Sequence, residues 1–398
     1  MNPDFSASVQ SRLADLIAFR HDLHAHPETS FEETRTSSKV LERLRDIPGL
    51  DIRDGLAGGT GICATLNAEK SGPCVLLRAD MDALPIEELS DLPYKSEHPG
   101  KMHACGHDGH TTALLGAAYA LSDHADALAG PVKFCFQPAE EQGCGGQRMI
   151  DDGILENPHV DAAFALHGWP DLELGHIISV PGAILAATSP FEIEFKGKGG
   201  HAAYPHKGTD VLLAVAQLIT NAQAIRTRFI DPIKPIVISF TQVNGGFTHN
   251  VLPESCHVKG TIRALDSQAH AAAKQQLSHF VQATAANFSI QADLRFIEDY
   301  PVLINDADCA ALVAEVATET LGAENVVTQA NPGMGGEDFA FYAQHVPAAM
   351  YRLGLRPKGT LEYPNLHNPH FNFNDDAIAT GAIMQSTIAH RFQQKRAS

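Results

Sequence analysis

Side chains of the types that bind divalent transition metals recur along this sequence. They are Cys105, His107, Glu140, Glu141, His167 and His367. Cysteine, histidine and glutamate are the ligands that zinc-like ions choose, and catalytic sites keep one position open for water. Gly106 lets the backbone bend until Cys105 and His107 face the same ion. One thiolate, three imidazoles and one carboxylate exceed the needs of one tetrahedral ion, so the set predicts two ions with a shared ligand and a bridging water.

The adjacent acids Glu140 and Glu141 suggest a division of roles. Only one of them can comfortably bind metal from the same loop, and the other is then placed to act as a general base. The base would take a proton from a metal-bound water and pass it to a leaving nitrogen, which is the chemistry of amide hydrolysis. The spacing alone leaves open which glutamate has which role. Asp80, Asp82 and Asp108 are interpreted either as groups that hold ligands from behind or as solvated loop acids.

Three near-continuous apolar runs precede most of these residues. The runs cover 74–80, 132–138 and 161–167 and are typical of strands buried on both faces of a parallel sheet. A helix with one apolar face follows His110. Because ligands of open α/β sheets bind at the carboxyl ends of the strands, we expect the polar residues to meet there.

The pattern changes near Ser189, where apolar and polar residues begin to alternate as in a half-exposed antiparallel strand. The predicted order from there is β-α-β-β-α-β, the split βαβ or ferredoxin-like arrangement, with the second helix capped by Ser267. We therefore predict an α/β domain of residues 1–186 and 299–398 into which a domain of residues 187–298 is inserted. Residues 185–190 and 297–302 are the expected hinge.

The composition favours a two-domain globular protein. Its 398 residues exceed the roughly 250 to 300 at which single cores stop growing. A net charge of −18 argues against nucleic acid or an anionic membrane as a partner. The chain shows neither a signal peptide nor a membrane-spanning run, and its seven scattered cysteines do not resemble a disulfide framework. We expect a cytoplasmic protein with reduced thiols.

Two other functions are compatible with parts of this pattern. A thiol hydrolase would use Cys105 as nucleophile and His107 as base, but two residues apart is an awkward geometry for that pair. It would also leave Glu141, His167 and His367 unexplained. A binding protein that had lost catalysis would lack Glu140 or a ligand, and none of these is missing.

The sequence resembles the N-acyl-amino-acid amidohydrolases and hippurate hydrolases, a branch of the metallo-exopeptidases that includes auxin-conjugate hydrolases. The matching stretches follow one another along nearly the whole chain. They include LHAHPETSFEE from Leu23, RADMDALP ending at Pro85, MHACGHDGH from Met102, FQPAEE ending at Glu141, LHGWP from Leu166, GKGGHAAYPH from Gly197, NGGFTHNVLPE from Asn244, GTIRAL from Gly260, GMGGEDFAFY from Gly333 and LHNPHF from Leu366. The resemblance implies a catalytic zinc-peptidase-like α/β domain with an inserted ferredoxin-like lid and dimerisation domain.

The resemblance also implies roles for individual residues. Two divalent ions, of manganese, zinc, cobalt or nickel, would be bound by Cys105, His107, Glu141, His167 and His367. Glu140 would be the acid and base. His201 would reach the substrate's carbonyl or carboxylate, commonly in the partner subunit's site, while Asn250 and Arg263 would bind substrate. The implied substrate is a small N-acyl amino acid, and the implied assembly is a homodimer. The wider exopeptidase superfamily has a histidine where this chain has Asp80, so only the cysteine-containing branch supplies this ligand set.

Overall fold

The computed structural model describes residues 3–397, which form two compact units. The first unit comprises the chain as far as Gly182, Ile304–Asn331 and the residues from Asp338 onwards, and the second comprises Ala183–Leu303 and Pro332–Glu337. The helices are α1 Phe5–Gln10, α2 Leu13–Ala25, α3 Thr34–Arg45, α4 His107–Asp123, α5 Gly145–Asp151, α6 Val211–Ala224, α7 Ser267–Phe288, α8 Ala307–Leu321, α9 Ala340–His345 and α10 Asp376–Ala397.

The strands are β1 Leu50–Leu56, β2 Gly61–Leu66, β3 Val75–Asp80, β4 Val132–Gln137, β5 Ala162–Glu173, β6 Ile177–Ile178, β7 Gly182–Leu185, β8 Ala187–Lys196, β9 Gly200–His201, β10 Ile236–Gly245, β11 Val251–Leu252, β12 Ser255–Ala264, β13 Gln291–Phe296, β14 Leu303–Asn305, β15 Val326–Val327 and β16 Ala348–Arg356. Among residues 3–397, no helix is both long enough and apolar enough to cross a membrane.

The first unit is built on an eight-stranded mixed sheet with the order β1-β2-β4-β3-β5-β16-β6-β15. Its central strands β4, β3, β5 and β16 are mutually parallel, whereas β1 and β2 add an antiparallel edge. Every residue of β3 and β4 is buried, as the apolar runs predicted, although one face of these strands also carries buried polar side chains, those of Arg78, Asp80, Lys133 and Gln137. The α/β class is therefore confirmed.

Helix α4 packs on the sheet beside α10 and places its first turn at the carboxyl ends of the central strands. All of its residues from His107 to Ala118 are buried. Close approach is possible because α10 presents Gly381 at the crossing. A Cβ atom there would lie 3.1 Å from the Cβ of Ala113 and 3.1 Å from a methyl carbon of Leu166. A larger side chain at Gly381 would push α10 away from α4 and β5.

The second unit contains the sheet β10-β12-β8-β13, in which all neighbours are antiparallel. The chain order β8-α6-β10-β12-α7-β13 and this strand order are those of a ferredoxin-like fold. Phe191, Ile193 and Phe195 are buried in its core, as their alternation with polar residues predicts. The predicted cap of α7 was wrong by one residue, because Asp266 is the cap and its carboxylate accepts a hydrogen bond from Ala269 N at 2.8 Å.

Candidate metal centre

The first unit brings the six candidate residues together at the carboxyl edge of its central strands. Two groups of three ligand atoms share the thiol of Cys105, and within each group all atoms lie within 4.8 Å of one another. One group adds His107 and His167, with 3.6 Å between Cys105 Sγ and His167 Nε2. The other adds Glu141 and His367, with 3.2 Å between Glu141 Oε1 and His367 Nε2.

Unusual backbone conformations occur where the chain presents these side chains. Gly106, between Cys105 and His107, has a φ of +90°, and a Cβ atom there would lie 3.0 Å from the ring of Phe373. Ala139, just before the glutamate pair, has a φ of +56°, and His367 itself has a φ of +63°. Non-glycine residues rarely adopt positive φ, and strained positions of this kind cluster at functional sites.

Asp82 holds the glutamate loop in place. Its Oδ1 accepts a hydrogen bond from Glu140 N at 3.0 Å, and its Oδ2 accepts one from Glu141 N at 3.0 Å. The hydroxyl of Ser30 also donates to Oδ2, at 2.8 Å, and His107 Nδ1 lies 3.3 Å from Oδ1. One buried carboxylate therefore positions both glutamates and one imidazole.

Glu33 extends this support to the residue before the glutamates. Its Oε1 accepts a hydrogen bond from Ala139 N at 2.9 Å, and its Oε2 accepts one from the hydroxyl of Thr60 at 3.0 Å. Burial, reinforced by the nearby charge of Asp82, raises the pKa of Glu33 to about 7. Three successive backbone N–H groups of the loop thus donate to two buried carboxylates.

His110 has both ring nitrogens engaged and supports the site from behind. Gly168 N donates to His110 Nε2 at 2.8 Å. Because an amide N–H can only donate, the ring hydrogen is on Nδ1, which lies 2.7 Å from Asp80 Oδ1. The other oxygen of Asp80 accepts from the buried guanidinium of Arg78 at 2.6 Å. Asp80, His107 and His110 are also close enough to form a possible ligand group, but these bonds leave His110 no lone pair for an ion.

The neighbouring His167 has the opposite arrangement. Its Nδ1 donates to Gly168 O at 2.8 Å, so its Nε2 carries the lone pair that faces Cys105. Burial lowers the pKa of His167 well below its usual value, which favours the neutral imidazole that metals bind. The peptide groups flanking Gly168 therefore connect His110 and His167.

The electrostatics of the cluster fit a bound cation. Burial, then Glu141 and Glu140, raise the pKa of the Cys105 thiol well above its usual value. Burial lowers the pKa of His107, but Asp80 and Asp82 outweigh this effect and raise it to about 10. Within residues 3–397, neither ring nitrogen of His107 has a hydrogen-bond partner in good geometry, and nor does Glu141 Oε1. Divalent cations would engage one ring nitrogen of His107 together with Glu141 Oε1 and would stabilise the thiolate.

Asp108 takes part in a separate buried network beside the cluster. Its Oδ2 lies 2.9 Å from His24 Nδ1 and 3.4 Å from the guanidinium of Arg20. The other ring nitrogen of His24 lies 3.3 Å from the carboxylate of Glu88. Asp108 thus fixes the first turn of α4 against α2.

The remaining predicted residues lie in the second unit. His201 is exposed on β9, and its Nδ1 accepts a hydrogen bond from Ala203 N at 3.1 Å. Asn250 lies close by, because its carbonyl accepts from Ala202 N at 3.0 Å. Arg263 lies on β12, where its guanidinium donates to Met334 O at 3.0 Å. The fold therefore brings His201 and Asn250 together and gives Arg263 different neighbours.

Comparison with known families identifies the lineage of this arrangement. The sequence model of Peptidase family M20/M25/M40 matches residues 76–391. The chain belongs to this family. As a member of the M20 family it is a hydrolase that acts on amide bonds.

Individual M20 relatives are similar over nearly their whole length. The N-acetyl-L-cysteine deacetylase of Bacillus subtilis is 39% identical over 94% of this chain and 88% of its own. IAA-amino acid hydrolase ILR1-like 4 of Arabidopsis thaliana is 36% identical over 95% of this chain and 85% of its own. The crystal structure of the YXEP protein of Bacillus subtilis, described as a dinuclear metal binding peptidase from the M20 family, superposes with a TM-score of 0.81 at 31% identity, covering 97% of this chain and 99% of that one.

Three residues that support the site in this M20 protein were not singled out from the sequence. They are Glu33, Arg78 and His110, and each acts through buried hydrogen bonds to a residue far away in the chain. All three fall inside stretches that carry the family resemblance, which are LHAHPETSFEE, RADMDALP and MHACGHDGH. Their place in those stretches was the available signal, but it did not indicate which atoms the three side chains would contact.

Proposed function

We propose that the chain is a two-metal amidohydrolase that cleaves N-acyl amino acids into a carboxylic acid and a free amino acid. The observation that carries this proposal is the pair of three-donor groups that share the Cys105 thiol. The description of the YXEP structure as dinuclear supports two ions, and the name of the deacetylase relative supports an N-acyl amino acid as substrate. Hippurate-like, N-acetyl and related acyl conjugates all belong to this class.

The donor set divides naturally between two divalent ions. Cys105, His107 and His167 would hold one, and Cys105, Glu141 and His367 would hold the other. Mixed sulfur, nitrogen and oxygen donors suit zinc, manganese, cobalt or nickel. When bound, such ions supply Lewis acidity and a water whose pKa is lowered towards neutrality.

Glu140 has the position of the acid and base. Its carboxylate lies within 4.8 Å of ligand atoms of His107 and Glu141, and its backbone is fixed by Asp82. Glu140 would accept a proton from the attacking water as the new C–O bond forms. It would then donate that proton to the amide nitrogen as the C–N bond breaks, so that one water is consumed for each bond cleaved.

We assign substrate binding to residues of the second unit. With His201 Nδ1 acting as an acceptor, its hydrogen is on Nε2, which is the donor needed to stabilise a developing oxyanion. Asn250 and Arg263 would bind the polar groups of the amino-acid half, with Arg263 at the α-carboxylate.

The structure disfavours the thiol-hydrolase alternative. A nucleophilic cysteine needs a lowered pKa, whereas burial and the neighbouring carboxylates raise the pKa of Cys105. Its sulfur also belongs to both donor groups, and its near neighbour is His167 Nε2 rather than His107.

We further propose a homodimer formed through residues 187–298, with residues 1–186 and 299–398 as the catalytic domain. The second unit exposes large apolar side chains on α6, on β10 and in the loop that follows β10. Leu213 is 57% exposed, Val243 46% and Phe247 84%. Phe247 borders a groove of about 620 Å³ that includes Gly200 and Leu252. Exposed apolar surface beside a groove is a feature of protein interfaces.

Matched variants of the two adjacent glutamates test the proposal. Glu140→Gln should retain two ions per chain and lose turnover of N-acetyl and N-benzoyl amino acids by about 1000-fold or more. Glu141→Gln should lose metal as well as turnover, because it removes a ligand charge. Metal content would be measured by atomic absorption on protein from the same preparation. Full activity in Glu140→Gln, or hydrolysis by thoroughly chelated protein, would contradict the mechanism.

A further inference from the structure

Trp169, the chain's single tryptophan, lies beside the candidate metal centre. It follows His167 by two residues on β5, and alternate residues of a strand point to the same face. The centroids of the two rings are 6.0 Å apart and their planes meet at 72°. His167 is buried, whereas Trp169 is partly exposed. An accessible indole therefore adjoins one of the residues assigned to the metal.

Arg352 holds this indole in one orientation. Arg352 lies on the parallel neighbour β16 and is paired in register with His167. The central carbon of its guanidinium lies 4.1 Å from the centroid of the Trp169 ring, which is a close cation–π contact. Pro170, which is buried, follows directly and limits the backbone freedom of Trp169. The ring is thus a preorganised surface rather than a mobile side chain.

The site otherwise presents charged and polar atoms to a substrate. Cys105, Glu140, Glu141 and the three histidines of the donor groups all offer polar ligand atoms there. We propose that Trp169, held in place by Arg352, is the surface on which the substrate's acyl group packs, and that this selects flat apolar acyl groups over acetyl. This inference rests on the proposed function and adds the substrate preference to it.

The acyl half is the better occupant of this surface on physical grounds. The amino-acid half carries an α-carboxylate, whose hydration would be lost against an indole ring without a compensating bond. An aryl acyl group carries no charge and gains by burial against the ring. In this arrangement Trp169 determines specificity, and Arg352 is a positioning residue that acts through the ring.

Substrate pairs that differ only in the acyl group give the kinetic test. N-benzoyl and N-acetyl derivatives of the same amino acid would be compared in the metal-reconstituted wild type, Trp169→Ala and Trp169→Phe. The benzoyl-to-acetyl ratio of kcat/KM should fall by about tenfold or more in Trp169→Ala, and Trp169→Phe should restore most of it. Arg352→Met should lower the same ratio more than Arg352→Lys, which keeps the cation. A ratio unchanged in Trp169→Ala, or discrimination that shifts among amino-acid halves instead, would overturn the inference.

Fluorescence of the single tryptophan gives a readout that needs no turnover. Benzoate should change the Trp169 emission in a saturable way in metal-free wild-type protein, whereas acetate at the same concentration should not. If the protein hydrolysed no N-acyl amino acid, the proposed function would fail, yet this titration would still decide whether Trp169 binds flat apolar groups. Equal responses to benzoate and acetate, or none to either, would overturn the assignment of Trp169. Metal content and circular dichroism of each variant verify that it is folded.

Discussion

The candidate metal centre and the residues of the second unit that we propose to bind substrate differ in how firmly they are held. In the first unit, Asp82, Glu33 and His110 connect buried ligands and loops through direct hydrogen bonds. In the second unit, His201 and Asn250 are exposed on and beside the short pairing of β9 with β11. The difference indicates that the candidate metal-binding groups are preorganised, whereas the groups to which we assign substrate binding have few fixed neighbours within their own unit.

The largest effect should come from breaking both donor groups at once. Cys105→Ala removes the ligand that the two groups share, so we expect both ions to be lost. Activity should fall by more than about 1000-fold, which exceeds the roughly 10- to 100-fold cost of removing an outer support. His367→Ala is the matched control, because it removes a ligand of one group only and should leave one ion per chain. Two ions remaining in Cys105→Ala would show that the thiol is not a ligand.

The contrast between the units predicts a different result for His201. His201→Ala should lower kcat by about 100-fold, the usual cost of one oxyanion donor, with metal content unchanged. His206→Ala is the control, since His206 is an exposed histidine nearby in the same unit. Kinetics and metal analysis on both variants check this. A fall in bound metal, or an undiminished kcat, would remove the distinction drawn between the units.

Replacing Asp82 tests whether the hydrogen bonds that position the candidate ligands control metal affinity. In Asp82→Asn an NH₂ group replaces one of the two oxygens that accept from Glu140 N and Glu141 N, so two donors would face each other. Metal affinity should weaken by about 10- to 100-fold. The exposed Asp91→Asn serves as the control. Isothermal titration calorimetry would measure the metal affinity of each variant. Equal affinity in Asp82→Asn and Asp91→Asn would contradict the role of Asp82.

The smallest effect concerns stability and pH. The pKa of Glu33 is about 7 in the folded protein against 4.5 ordinarily, so the folded state holds this proton more tightly. Its contribution to stability is fully present below pH 4.5 and is lost as the pH rises to about 7, a difference of about 3 kcal/mol. Urea unfolding of metal-free protein should show this pH slope in the wild type and lack it in Glu33→Gln. An identical slope in both proteins would contradict the assignment.

Much of the first unit could be predicted from the sequence because its signals are local. Apolar runs mark β3, β4 and the start of β5; His167 lies within β5, and Cys105 and His107 lie just before and at the start of α4. The supporting bonds could not be predicted, since Glu33 and Ala139 are 106 residues apart and meet only in the folded chain. The antiparallel edge of β1 and β2 was also missed. The separate roles of Glu140 and Glu141 came from family resemblance rather than from spacing.

The central claim is that two ions share the thiolate of Cys105, and a cobalt titration of metal-free protein tests it most directly. Bound equivalents would be counted by calorimetry while thiolate-to-cobalt charge-transfer absorption is recorded, with Cys105→Ser as the reference. We predict two equivalents per chain and a thiolate band that grows as both bind and is missing from the variant. A single equivalent, or the same spectrum with and without the thiol, would contradict the account.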